Sequence, residues 1–141
     1  MSPLQLPKPT DAELAILRVL WRRGPSTVRQ VFEELQEERQ TGYTTILKFL
    51  QIMFEKHLVQ RDERQRTHVY RAALSEEQAQ HTLLKDLLDK AFDGSARKLI
   101  LQALSSSKAS ADELAQIRAL LDQLDKAPQP GKGRPQERSK R

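Results

Sequence analysis

Residues 42–57 read Gly-Tyr-Thr-Thr-Ile-Leu-Lys-Phe-Leu-Gln-Ile-Met-Phe-Glu-Lys-His, and the fold turns on how this stretch is read. Ile46, Leu47, Phe49, Leu50, Met53 and Phe54 recur at helical spacing, which predicts a helix from about Tyr43 to His57. Thr44, Thr45, Lys48, Gln51 and Glu55 are left for its outer face. The first turn is polar, small and free of acids, as suits a surface that must approach something closely.

Two shorter helices are predicted upstream. Thr10-Asp11-Ala12-Glu13 has the form of a capping box, in which hydroxyl and carboxylate satisfy free helix N–H groups. The helix it opens carries Leu14, Ile16, Leu17, Leu20 and Trp21, then ends at Gly24-Pro25 after the cationic turn Arg22-Arg23. Thr27-Val28-Arg29-Gln30 repeats the cap, and Val28, Val31, Phe32 and Leu35 form one apolar face. The polar link Arg39-Gln40-Thr41-Gly42 leads into the third helix.

Downstream of Leu58 the period shortens. Val59–Glu63 and His68–Ala72 read as two strands around the basic tip Arg64-Gln65-Arg66-Thr67. Ser75-Glu76-Glu77-Gln78 caps a fourth helix, Asp93-Gly94-Ser95 breaks it, a fifth carries Leu99 to Leu104, and Ser110 caps a sixth. Residues 127–141, rich in Pro, Gly and basic groups and without an apolar face, read as a disordered tail.

Three helices followed by a hairpin is the order of a winged helix-turn-helix, whose third helix enters the major groove. The predicted class is mainly α with a small β-hairpin wing. Residues 1–74 form the winged DNA-binding domain, 75–126 a helical dimerisation domain and 127–141 the basic tail. Thr41, Tyr43, Thr44, Thr45 and Lys48 are expected to face DNA, with Arg64 and Arg66 neutralising phosphates from the wing. Leu84, Leu87, Leu88, Phe92, Leu120, Leu121 and Leu124 are the expected dimer surface, with Ile117 left unassigned.

Other readings compete. A capped three-helix unit is often a plain bundle, and a winged unit can scaffold a protein-interaction module in which 75–126 docks a partner helix. A non-specific architectural DNA binder driven by the tail is a third option. The net charge of +5 divides into +3 for 1–74, −2 for 75–126 and +4 for the tail, so the high pI by itself argues little for nucleic acid. The chain has no cysteine, hence no disulfide and no thiolate metal site. His57, His68 and His81 lack ligand or catalytic spacing, Gly131-Lys132-Gly133-Arg134 lacks the setting of a phosphate loop, and Ser105-Ser106-Ser107 reads as a helix connection. No enzyme activity, metal or cofactor is expected. Without a signal peptide or an apolar run of spanning length, the expected location is the cytoplasm, with no membrane insertion.

The residues also resemble the penicillinase-repressor family (the BlaI/MecI/CopY group) of bacterial transcriptional regulators. The resemblance lies in Glu13–Leu17 with Leu20-Trp21, Thr27–Val31, Gly42–Ile46 with Leu50, Glu55–Val59, Val69-Tyr70-Arg71, and Phe92-Asp93-Gly94-Ser95 with Leu99-Ile100. It spans about residues 9–125. It implies a homodimer with an N-terminal winged helix domain and a C-terminal helical dimerisation domain, holding a double-stranded operator until a signal removes it. In the antibiotic-responsive branch, a membrane-bound sensor with a zinc-protease domain triggers cleavage in the helix after the Gly-Ser break, matching the Gln102-Ala103 region. Ala103 stands where that branch carries a larger apolar residue. The copper-responsive branch binds metal through cysteine pairs that this chain lacks. His57 replaces the glycine usual at the end of the third helix, a change expected to touch only the helix cap.

Overall fold

The computed structural model describes residues 7–127. In chain order the elements are α1 (Asp11–Arg23), β1 (Ser26–Thr27), α2 (Val28–Leu35), α3 (Tyr43–Glu55), β2 (Val59–Asp62), β3 (Val69–Ala72), α4 (Glu76–Ala91), α5 (Ala96–Ser106) and α6 (Ala111–Lys126). They fall into two compact units divided at Gly94 and Ser95.

In the first unit, α1, α2 and α3 enclose Ile16, Leu17, Val31, Leu35, Ile46, Leu50 and Met53, all essentially inaccessible to water. Each such side chain contributes roughly 1.5–3 kcal/mol on burial, so the α3 face read from the sequence is the face that fixes the helix. Trp21 Nε1 donates to the Leu74 carbonyl at 2.9 Å, tying α1 to the segment after β3. Ala79 of α4 reaches the same core. Lys8 and Asp86 pair at 2.7 Å on the surface of this unit.

The sheet has three antiparallel strands in the order β1-β3-β2, where the sequence pattern indicates only the hairpin. Val59↔Ala72 through Asp62↔Val69 set the hairpin register. The additional strand, β1, pairs Ser26↔Tyr70 and Thr27↔Val69. Two residues after Gly24-Pro25, the second of them the cap of α2, carry no alternation of their own. Ser26 is fully buried, and its hydroxyl donates to the Gly24 carbonyl at 2.8 Å.

α3 ends two residues earlier than its pattern suggests. Leu58 N–H donates to Met53 O at 2.9 Å and His57 N–H to Phe54 O at 3.1 Å, the paired bonds of a Schellman cap. His57 therefore sits at the left-handed position with φ 66°, a conformation that glycine takes without steric cost.

In the second unit, α5 and α6 bury no residue. Ser95 and Ser110 cap them through the backbone N–H groups of Lys98 and Glu113. Ser105 and Ser106 belong to the last turn of α5 rather than to a connection, and their hydroxyls bond back to the carbonyls of Leu101 and Gln102, each at 2.6 Å.

Candidate nucleic-acid interface

Among the described residues, five of the six helices have a Ser or Thr side chain capping the first turn, and α3 is the exception. Gly42 opens it without a side-chain bond, and no acid lies in the first turn. The N–H groups and positive dipole end of α3 thus face outward uncompensated, the arrangement that attracts phosphate. Tyr43, Thr44, Thr45 and Lys48 are exposed there, whereas Thr41 is half-buried. The Thr41 carbonyl accepts from Gln36 Nε2 at 2.8 Å, which pins the α2–α3 link against α2.

Tyr43 does not project freely. Its ring meets Phe32 edge-on at 5.7 Å, and the Arg29 guanidinium lies 5.4 Å from its centroid. Such contacts fix ring orientation at little entropic cost. Arg29 thereby joins the α3 surface from the first turn of α2. Sequence reasoning missed it, because an isolated arginine on α2 becomes informative only once the α2–α3 crossing is known.

The wing tip differs in charge from its sequence reading. Arg64 is held by Asp62 in a two-point pair, Nε–Oδ1 at 3.0 Å and Nη2–Oδ2 at 2.8 Å, while its own N–H donates to Oδ1 at 3.0 Å. Hydrogen bonds from the Arg64 side chain and backbone lower the Asp62 pKa to about 2. Arg61 pairs with Glu63 at 2.6 Å and lies 3.9 Å from the centre of the Phe54 ring. Among the described residues Arg66 makes no ion pair, so of the two wing arginines singled out from the sequence only Arg66 presents an unbalanced charge.

Behind this face lies Glu13, a buried carboxylate that receives Lys56 Nζ at 2.7 and 2.8 Å and the Thr10 N–H at 2.9 Å. Burial alone raises its pKa, but the Lys56 bond and charge and the Thr10 N–H leave it below the usual value. This pair joins the start of α1 to the end of α3 and so helps set the angle at which α3 is presented.

The expected dimer residues are distributed over both units. On α4, Leu84 and Leu87 are exposed while Leu88 is half-buried, as is Phe92 just beyond the helix; on α6, Leu120, Leu121 and Leu124 are exposed. Among the described residues no helix is long and apolar enough to cross a membrane, and no cluster of three His, Cys, Asp or Glu side chains could hold a metal. The predicted tail beyond Ala127 lies outside the described residues.

Three helices, a short strand that completes the sheet, and a hairpin beside an uncapped third helix define a winged helix-turn-helix protein. The family model described as "Penicillinase repressor" matches residues 9–123. The chain is 34% identical over 116 residues to "Transcriptional regulator BlaI" of Mycobacterium tuberculosis, covering 82% of this chain and 83% of that protein. It is 20% identical over 113 residues to "Methicillin resistance regulatory protein MecI" of Mammaliicoccus sciuri, covering 80% and 92% respectively. A solution structure of Bacillus licheniformis BlaI, in monomeric form with the blaP half-operator, aligns with 24% identity and a TM-score of 0.46 over 52% of this chain and 90% of that one. The chain belongs to the penicillinase repressor family.

Proposed function

We propose that this protein is a dimeric, sequence-reading transcriptional repressor that places the first turn of α3 in the major groove of its operator. The observation that carries the reading is the uncapped, acid-free start of α3, with Tyr43, Thr44, Thr45 and Lys48 exposed on it. A protein-interaction scaffold has no need of such a turn. In this reading the threonine hydroxyls bond base edges or phosphates, the Tyr43 ring packs against a thymine methyl, and Lys48 and Arg66 neutralise phosphate. Arg29 adds a further cation beside Tyr43.

Residues 75–126 serve as the dimerisation region, with Leu84, Leu87, Leu88, Phe92, Leu120, Leu121 and Leu124 closing against a second copy. The exposed leucines and the absence of any buried residue in α5 and α6 support this, since such faces are ordinarily covered. Release from the operator follows proteolysis or a partner, including a membrane-bound sensor protease. Gln102 and Ala103 lie exposed in α5, a helix without buried anchors and thus cheap to open locally.

Fluorescence anisotropy on the protein's own upstream region, against scrambled DNA of equal length, tests the reading. Sequence-reading predicts a preference of about a thousandfold or more. Thr44→Ala and Thr45→Ala should each relax that preference by about fivefold to tenfold, the worth of one hydrogen bond. Equal binding to both fragments by the wild type refutes the proposal.

A further inference from the structure

We infer that Asp62 and Glu63 act as a charge brake on the wing, limiting how tightly the protein binds DNA of any sequence. The inference rests on the DNA-binding reading above. Residues 61–66 contain three arginines and two acids, which leaves a net charge of +1. The acids are not scattered, because each is engaged with one arginine: Asp62 with Arg64 and Glu63 with Arg61.

Sequence-independent affinity for DNA comes from counterions released as phosphates are neutralised, and net charge at the contact sets how many are released. The Asp62–Arg64 unit is neutral whichever way Arg64 turns. Were the guanidinium to leave for a phosphate, Asp62 would remain two residues away and repel that same phosphate. The Asp62 carboxyl also stays ionised, since its pKa is about 2. The tip of the wing, residues 61–66, therefore reaches the DNA backbone with one effective cation, Arg66, rather than three.

Local folding does not demand these charges. Asp62 Oδ1 accepts the Arg64 N–H in the turn at 3.0 Å, a bond that an asparagine amide oxygen makes equally well. Arg61 is independently placed by the Phe54 ring, so its position does not require Glu63. Charge is the property that distinguishes both acids from their amides.

The test uses the full chain and measures log K against log salt, from 50 to 300 mM, on the scrambled duplex and on the native upstream fragment. Asp62→Asn should steepen the slope on scrambled DNA by about 0.9 per protomer and tighten binding at 50 mM on the order of tenfold. Glu63→Gln should act in the same direction. Asp62→Asn with Arg64→Gln restores neutrality and should return the slope to the wild-type value. A wild type that prefers the native fragment, with Asp62→Asn leaving slope and scrambled-DNA affinity unchanged, overturns this inference alone. A double variant that stays as steep as Asp62→Asn overturns it too, since the pair is then not the unit. A wild type that binds neither fragment, or both equally, defeats the underlying reading of the interface and the brake with it. Because the expected effect is a gain in binding, misfolding cannot imitate it.

Discussion

Replacing Lys56 with methionine removes the cation that balances Glu13, a carboxylate whose side chain is only 4% exposed. The carboxylate would keep the Thr10 N–H at 2.9 Å, beside the reciprocal cap bond from the Glu13 backbone N–H to the Thr10 hydroxyl. Removing one partner of a buried ion pair costs about 3–5 kcal/mol. The Lys56 side chain is 36% exposed, so water can take over part of its role, and we expect about 2–3 kcal/mol at pH 7. That is a large share of the total for a domain whose stability is on the order of 5–15 kcal/mol. The pH dependence is the sharper signature. In the wild type Lys56 and Thr10 hold the Glu13 pKa below the ordinary carboxylate value, so it contributes stability above that ordinary value and loses it as pH falls through the folded one. In the variant burial is opposed by Thr10 alone, and the folded value rises. The stability that Lys56 gives through the Glu13 carboxylate is then missing at neutral pH, and acid, by protonating Glu13, removes the difference. The gap between the two proteins should be widest at pH 7 and close towards pH 4. Urea unfolding followed by the single tryptophan, Trp21, at pH 7, 5.5 and 4 measures it. Glu13→Gln added to Lys56→Met should recover part of the loss and flatten the pH dependence. A deficit of constant size across this range would mean that Lys56 acts through its methylenes, and the electrostatic account of α3 placement would be wrong.

His57→Gly should stabilise the protein by about 0.5–1.5 kcal/mol, because glycine takes the left-handed cap position without steric cost; a rise in thermal midpoint of a few degrees checks this, and a fall would mean that the imidazole makes a compensating contact. Leu87→Asp and Leu121→Asp should each shift the proposed dimer toward monomer and weaken operator binding by at least tenfold. Sedimentation showing both variants as intact dimers would remove these leucines from the interface.

What the sequence disclosed and what it concealed divide along the separation between interacting residues. The capping boxes at Thr10, Thr27, Ser75 and Ser110 all form, each needing only a partner three residues on. The buried face of α3 was equally legible, because one helix repeat contains it. β1 was not: its two residues become a strand only by pairing with Tyr70 and Val69, more than 40 positions away. The Lys56 partner of Glu13 is likewise separated by 43 residues, and Arg29 meets Tyr43 only where α2 and α3 cross. The wing shows a subtler loss. Asp62 and Arg64 are near neighbours in sequence, so distance does not hide the pair; Asp62 simply lies outside the basic tip Arg64–Thr67. Counting arginines there suggests a phosphate clamp, whereas counting the carboxylates within two residues suggests one nearly neutral. The physical reason is that DNA responds to the field of the whole turn rather than to any one side chain. The tip of a basic wing is therefore better judged by its net charge after local pairing, and at residues 61–66 that charge falls on Arg66. Under the proposed function, base reading by the uncapped turn of α3 supplies most of the discrimination, which is the division of labour expected of a repressor that must leave bulk DNA readily.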